Sequence, residues 1–326
     1  MLMPQDILVS IIIPCKNVDD YTRECIEHCK QLNYANYEII LLPDDSKDAI
    51  EGVRVIPTGS VTPGVKRNIG GENSEGDFCA FIDSDAYPPN DWLANAMKYF
   101  EDPEVAGVGG PGLTPEMDCL MQRAGGYVLS SFMMGSLSSR YRILSRGETK
   151  RGLESNEIHS CNFIARKSVV QESGGWNEKY WPGEDGLMCL AIKQLGKKLI
   201  ESSNVVVYHH RRPLFRPHLK QISRFGTYRG LSVRRSQQNS LKPAYFFPSL
   251  LVLSLFIGVS LSFLFPFFRY IIVLGLALYL ALGFGASILQ VRKVKLIFLI
   301  WVGIIVTHIT YGLSFLYGLV KSDLKR

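Results

Sequence analysis

From residue 202 onward the sequence has a single acidic side chain, Asp323, against 16 lysines and arginines. Its seven cysteines include no C-x-x-C pair, which excludes the common zinc and dithiol spacings and reads as reduced packing residues. Cys25, His28 and Cys29 share a helix face but have no fourth ligand nearby. No G-x-x-x-x-G-K-[ST] stretch occurs, so P-loop phosphate chemistry is excluded. Near the N-terminus the apolar run 7–14 has neither the basic flank nor the cleavage site of a signal peptide, so the first 200 residues are expected to stay cytosolic. What is present is a chain of 326 residues, 47% hydrophobic and 20% charged, which excludes disordered, collagenous and disulfide-framework classes.

The overall charge of +6 conceals a split. Residues 1–201 carry 20 basic and 29 acidic side chains, net −9, whereas residues 202–326 are net +15. Such asymmetry points to a polyanion or a membrane. The runs 245–268, 270–290 and 296–320 decide between them. Apart from Arg269 between the first two, they contain no charged residue, and a bilayer span needs about 20 apolar residues. Pro248 and Pro266 interrupt the first run, and Pro266 to Arg269 read as a tight interfacial turn. Lipid, not nucleic acid, is therefore the expected anionic partner. Cations from Arg211 to Lys242, with Arg292, Lys293 and Lys295, agree with the expectation that the first 200 residues lie in the cytoplasm of a multi-pass cell-membrane protein. With three spans, Lys321, Lys325 and Arg326 would lie outside, so a two-span arrangement stays open.

Strands are expected at 7–14, 38–42, 53–56, 78–82 and 105–108. Helices are expected from the Asp19-Asp20 cap to Leu32, over 63–73 and over 91–100. Alternation of this kind makes an α/β sheet, which binds ligands beyond the carboxyl ends of its strands. Asp44-Asp45 and Asp83-Ser84-Asp85 both fall at such ends. The glycines of 107–112 start like a dinucleotide fingerprint, but Pro111 and Pro115 interrupt it, and a turn at the sheet edge is the better reading.

Alternate carboxylates after a buried strand suit Mg2+ or Mn2+, ions that bridge to nucleotide phosphates. Glu184-Asp185 opens an amphipathic helix, either as capping acids or as a general base kept ionised by the helix dipole. Trp176 and Trp181 offer flat faces to a sugar or to the core. His209 and His210 end the strand expected at 204–208 and reach either a metal or ordinary hydrogen-bond partners.

The ordered blocks Val9-Ser10 through Pro14-Cys15-Lys16-Asn17, Asp44-Asp45-Ser46, Lys66-Arg67-Asn68, Asp83-Ser84-Asp85 and Glu184-Asp185 resemble the inverting glycosyltransferases of family 2. The resemblance covers roughly residues 7–210. It implies a GT-A (Rossmann-like) nucleotide-sugar-binding domain followed by C-terminal transmembrane helices. It also implies that Pro14, Lys16, Asn17, Asp44, Lys66, Arg67 and Asp83 bind the donor, with Arg67 at its phosphates. Asp83 and Asp85, with His209, would hold Mg2+ or Mn2+; Asp185, beside Glu184, would be the catalytic base. The expected divisions are 1–205 catalytic, 206–243 basic and juxtamembrane, 244–320 membrane helices and 321–326 tail.

A base beside the acceptor favours a hydroxyl of a lipid-linked or cell-surface glycan over a phosphate; the expected donor is a UDP- or GDP-linked sugar. A processive synthase, a polyprenyl-phosphate glycosyltransferase and an inactive scaffold are the alternatives. Gln221, Arg224 and Phe225 are similar to the Q-x-x-R-W of processive synthases and, with Trp181, are candidates for the acceptor or diphosphate. A sugar nucleotidyltransferase would carry a glycine-rich loop, absent between Pro14 and Asp20. The nine cations of 204–243, interleaved with apolar residues, suggest an interfacial helix on anionic lipids. The polar stretch 136–156 reads as a loop able to close over substrate.

Overall fold

The structure is a computed structural model that describes residues 7–45, 49–143, 158–235 and 240–321. Ser46, residues 144–156 of the expected closing loop, and Asp323, Lys325 and Arg326 of the tail lie outside the described residues. The chain divides into two compact units, Met1–Pro115 with Arg142–His210, and Glu116–Tyr141 with Arg211–Arg326. The segment 116–141, which a division in sequence order assigns to the catalytic part, thus groups with the C-terminal helices.

The first unit opens with β1 (Val9–Pro14), α1 (Asp20–Cys29), β2 (Tyr37–Leu42), β3 (Arg54–Val55), α2 (Pro63–Glu72), β4 (Phe78–Phe81) and β5 (Ala86–Tyr87). It continues through α3 (Trp92–Met97), β6 (Val105–Gly109) and β7 (Gly112–Leu113). In the second unit lies α4 (Leu120–Ser130), after which β8 (Phe163–Arg166), α5 (Lys167–Glu172), α6 (Glu184–Gln194), β9 (Lys198–Glu201) and β10 (Val207–His209) complete the first. Asp19 caps α1 by accepting from Thr22 N at 2.9 Å, as its position predicts. Thr62 caps α2 ahead of Pro63, which suits a first-turn position because its missing N–H is not needed there.

Seven strands form one sheet in the order β3-β2-β1-β4-β8-β6-β9. β1 pairs in parallel with β2 and β4, and every β1 side chain is buried, which accounts for its nearly continuous apolar run; the one polar side chain, Ser10, donates to Glu38 Oε1 at 2.6 Å. The sheet is mixed: β8, which the sequence pattern did not reveal, runs antiparallel to both β4 and β6. The glycines of 107–109 are not an edge turn. They lie inside β6, paired on both sides, because a Cβ at Gly109 would sit 2.2 Å from Ile158 and 2.4 Å from Asn162 O. A second sheet, β5-β10-β7, is small, and it decides the geometry of the site. In it β10 runs antiparallel to β5, setting His209 opposite Ala86.

The second unit contains α4, α7 (Arg216–Arg234), α8 (Phe247–Leu264), α9 (Phe267–Gln290) and α10 (Val294–Val320). The last three are long and apolar enough to cross a membrane. Pro248 is tolerated in the first turn of α8, and Phe265-Pro266 separates α8 from α9. Residues 132–141, the end of α4's extension and the start of the expected loop, are instead 3-10 helical with a break at Gly135.

The apolar face of α7 is covered by protein, where an interfacial helix would leave it to lipid. Ile222, Tyr228 and Leu231 are buried, and Ser223 Oγ accepts from Ser314 Oγ at 2.9 Å. His218 pairs with Thr307 at 2.9 Å, and burial pushes its imidazole down to about 4. Gly226 and Gly230, four residues apart, let the helices touch: a Cβ at Gly230 would lie 2.0 Å from Phe315 O.

Candidate active site

The carboxyl ends of β1, β2 and β4 converge at one edge of the large sheet. Pro14 ends β1 opposite Leu42, and beyond it Lys16 and Asn17 are exposed. Lys16 O accepts from Asp44 N at 3.0 Å, which joins the two strand ends. Asp44 is nearly buried, and its Oδ1 accepts from Lys66 Nζ at 2.6 Å. The same ammonium donates to Cys15 O at 2.8 Å and Leu42 O at 3.1 Å. An ammonium has three N–H groups, and all three are used within the protein. Burial nearby also pushes the Cys15 thiol up to about 12, which leaves it an inert packing group.

After β4 the chain makes a turn closed by Ala86 N donating to Asp83 O at 3.0 Å. His210 N donates to Asp85 O at 2.9 Å, fastening β10 beside that turn. His209 Nε2 consequently lies 3.0 Å from Asp85 Oδ1. Asp83, Asp85 and His209 each offer one ligand atom, and these atoms lie within 4.8 Å of one another. Two carboxylate oxygens with one imidazole nitrogen fit Mn2+ or Mg2+, leaving further positions for water and phosphate oxygens. No other group of three or more such side chains occurs among the described residues. Cys25 and Cys29 are buried, and His28 stacks on Tyr87 at 4.4 Å, so these three are packing residues.

Arg67 is buried between two acids. Its Nη2 donates to Asp83 Oδ1 at 2.7 Å and to Ser160 Oγ at 3.0 Å, and its Nη1 to Glu184 Oε1 at 3.0 Å. The guanidinium lies over the Trp176 ring at 4.9 Å. Desolvation opposes its charge, but Asp83 and Glu184 outweigh it and raise its pKa further. Burial pushes the Glu184 carboxyl up to about 7, against the pull of Arg67.

Gly183, with φ of +112°, turns the chain into α6, whose first residues are Glu184 and Asp185. The two acids have different surroundings. Glu184 is 4% exposed and occupied by Arg67, whereas Asp185 is partly exposed and accepts from Gly186 N at 2.7 Å. Only the Asp185 carboxylate is presented toward solvent. Trp176 is a core residue, T-shaped against Phe81 at 4.9 Å, and Trp181 is 49% exposed. Gln221, Arg224 and Phe225 lie on α7 in the second unit, with Arg224 on its exposed side. Ser160 and the Asn68–Trp176 pairing were not foreseen; a lone serine and a surface-type amide give no periodic signal.

Comparison with known proteins places the fold and the family. Residues 10–173 match the family model described as "Glycosyl transferase family 2". A Methanococcus voltae protein named dolichyl N-acetyl-alpha-D-glucosaminyl phosphate 3-beta-D-2,3-diacetamido-2,3-dideoxy-beta-D-glucuronosyltransferase is 25% identical over 255 residues, covering 72% of this chain and 76% of that one. The pre-mycofactocin glycosyltransferase of Mycobacterium tuberculosis is 24% identical over 220 residues, covering 63% of this chain but only 43% of its own length. In fold, the chain is similar to the mannosyltransferase PcManGT from Pyrobaculum calidifontis, solved with GDP-Man and Mn2+. The TM-score is 0.56 at 16% identity, over 95% of this chain and 87% of that one. With half its length under the family model and a GT-A sheet carrying the acidic blocks at its strand ends, the chain belongs to glycosyl transferase family 2.

Proposed function

We propose that this glycosyltransferase moves a sugar, with inversion, from a UDP- or GDP-linked donor to a hydroxyl of a lipid-linked glycan at the membrane. The observation that carries the reading is the Asp83, Asp85 and His209 cluster at the strand ends, in the same unit as the partly exposed Asp185. In this reading Pro14, Lys16, Asn17 and Asp44 hold the nucleoside. Asp83, Asp85 and His209 hold Mg2+ or Mn2+, which when bound supplies positive charge for the leaving diphosphate. Asp185 takes the proton of the acceptor hydroxyl as its oxygen bonds to the anomeric carbon. The carbon–oxygen bond to the diphosphate breaks on the opposite face, and the diphosphate leaves with the electron pair.

The Methanococcus relative is named for a dolichyl-linked sugar phosphate, which supports a lipid-linked acceptor. The bound GDP-Man of the Pyrobaculum structure makes GDP sugars worth testing first. The three apolar helices support anchoring in the cell membrane, and the cations flanking them support a first unit in the cytoplasm. Arg216, Lys220 and Arg224, exposed on α7, support attraction to anionic lipids, at about 1 kcal/mol per cation near the surface. Trp181, Gln221, Arg224 and Phe225 remain the candidates for acceptor contact.

The test is release of nucleoside diphosphate, and of glycosylated lipid, by the full chain in detergent, over a panel of nucleotide sugars with Mn2+ or Mg2+. Asp185→Asn should slow transfer by about 10²–10⁴-fold while UDP or GDP affinity stays within about twofold. Loss of nucleotide binding in that variant would remove the base assignment. One added sugar is expected, and a ladder of products would mark a processive synthase instead.

A further inference from the structure

Three consecutive side chains of α2 run to three parts of the first unit. Lys66 reaches the ends of β1 and β2, and Arg67 reaches Asp83, Ser160 and Glu184. Asn68 reaches the backbone of Trp176 and the carboxylate of Glu178. The family resemblance assigns both cations to the donor, with Arg67 at its phosphates, yet both are buried and tied to protein acceptors. All three N–H groups of Lys66 are engaged. Both N–H groups of Arg67 Nη2 are engaged as well, and its side chain is 3% exposed. Its Nε has no protein acceptor among the described residues, but it is itself buried.

We infer that Lys66 and Arg67 are positioning residues, and that Arg67 couples the metal-ligating carboxylate of Asp83 to the start of α6, which carries Asp185. The inference rests on the glycosyl-transfer reading for the role of Asp185. Asp83 and Glu184 share one buried guanidinium, so displacing either carboxylate leaves charge uncompensated in the interior. The two acids therefore move together or not at all. A cation bound at Asp83 acts on the carboxylate that Arg67 holds. By reciprocity, whatever Glu184 does to Arg67 is felt as cation affinity. The hydrogen-bonded route from Glu184 to the cation site runs through Arg67 to Asp83, and a double variant of Arg67 and Glu184 separates it from through-space charge.

The test uses the full chain in detergent, with Mn2+ affinity read by electron paramagnetic resonance without nucleotide, and UDP and GDP affinity read by calorimetry in EDTA. Arg67→Lys should weaken Mn2+ by about tenfold or more, while UDP and GDP affinity in EDTA stays within about twofold. Glu184→Gln should shift Mn2+ affinity by about threefold or more, and the double variant should fall short of the product of the two single effects. Unchanged Mn2+ affinity in Glu184→Gln overturns the coupling. A loss of tenfold or more in nucleotide affinity in EDTA for Arg67→Lys overturns the positioning role and restores a phosphate contact. Should Arg67→Lys not fold, Glu184→Gln alone decides. The Mn2+ arm needs no nucleotide, so a wild type that binds Mn2+ but neither UDP nor GDP overturns the functional reading separately.

Discussion

The Asn68 side chain holds Trp176 by both sides of its backbone. Asn68 Nδ2 donates to Trp176 O at 2.9 Å, and Asn68 Oδ1 accepts from Trp176 N at 2.7 Å. An amide offers one donor side and one acceptor side in a plane, so it substitutes here for a neighbouring strand. The clamp fixes the indole that packs on Phe81 and Phe163 and lies against Arg67.

Asn68→Ala should cost about 2 kcal/mol or more, because both backbone groups of Trp176 lose their partners in a buried place. Asn68→Asp keeps the acceptor but turns a carboxylate oxygen toward Trp176 O and the Glu178 carboxylate, so it should cost at least as much. Thermal unfolding followed by tryptophan fluorescence would measure both, and equal melting of Asn68→Ala and wild type would show the clamp to be dispensable.

Removing one metal ligand should separate metal binding from nucleoside binding. His209→Gln is expected to weaken Mn2+ by about 10–100-fold and to raise the Mn2+ needed for half-maximal transfer by a similar factor. EDTA should abolish transfer, and added Mn2+ should restore it. Asp85→Asn turning over at the wild-type rate would dismiss the metal role.

Burial raises the Glu184 carboxyl from 4.5 to about 7, with Arg67 lowering it and Asp185 raising it. Between those values the folded protein holds a proton that the unfolded chain has released. Stability from this group therefore falls as pH rises from 4.5 to about 7 and is level above that. Glu184→Gln should flatten the stability–pH curve in this window, by up to about 3 kcal/mol relative to wild type. Melting curves from pH 4 to 8 would show it, and parallel curves would mean the carboxyl is not raised.

Gly230→Leu should separate α7 from α10, since even a Cβ at that position overlaps Phe315 O. A loss of about 2 kcal/mol or more in detergent is expected. Gly275→Ala, in α9 with no neighbour within 4 Å of the added Cβ, should leave melting unchanged or slightly improved. Equal effects of the two would deny that the α7 face is shaped for α10.

Position along the chain was legible wherever a buried strand ran into acids. The strand 78–81 before Asp83-Ser84-Asp85 is of this kind, because strands covered on both faces leave a near-continuous apolar signal, as the run 7–14 also does with Ser10 as its one polar residue. Partnership was less legible. His209 was balanced between a ligand and an ordinary hydrogen bond, and the β5–β10 register, a long-range property, brings it to Asp85. Lys66 and Arg67 were legible as cations near a donor site, but not the saturation of Lys66 or the three protein acceptors of Arg67, which depend on burial. Nor did the apolar face of α7 reveal its cover; the four-residue spacing of Gly226 and Gly230 was the available sign of a helix partner. β8 was missed because four residues give too little alternation, and its antiparallel insertion follows from its neighbours.

The three-stranded sheet also sets an order of assembly. β9 closes the seven-stranded sheet, and β10 comes after it as the last strand of its unit. A growing chain therefore possesses Asp44, Lys66 and both aspartates before it possesses the imidazole. A chain halted between β9 and β10 would carry every residue assigned to the nucleoside and only part of the cation's ligand set. Completion of the proposed cation site is in this sense a record that the first unit has been synthesised to its end.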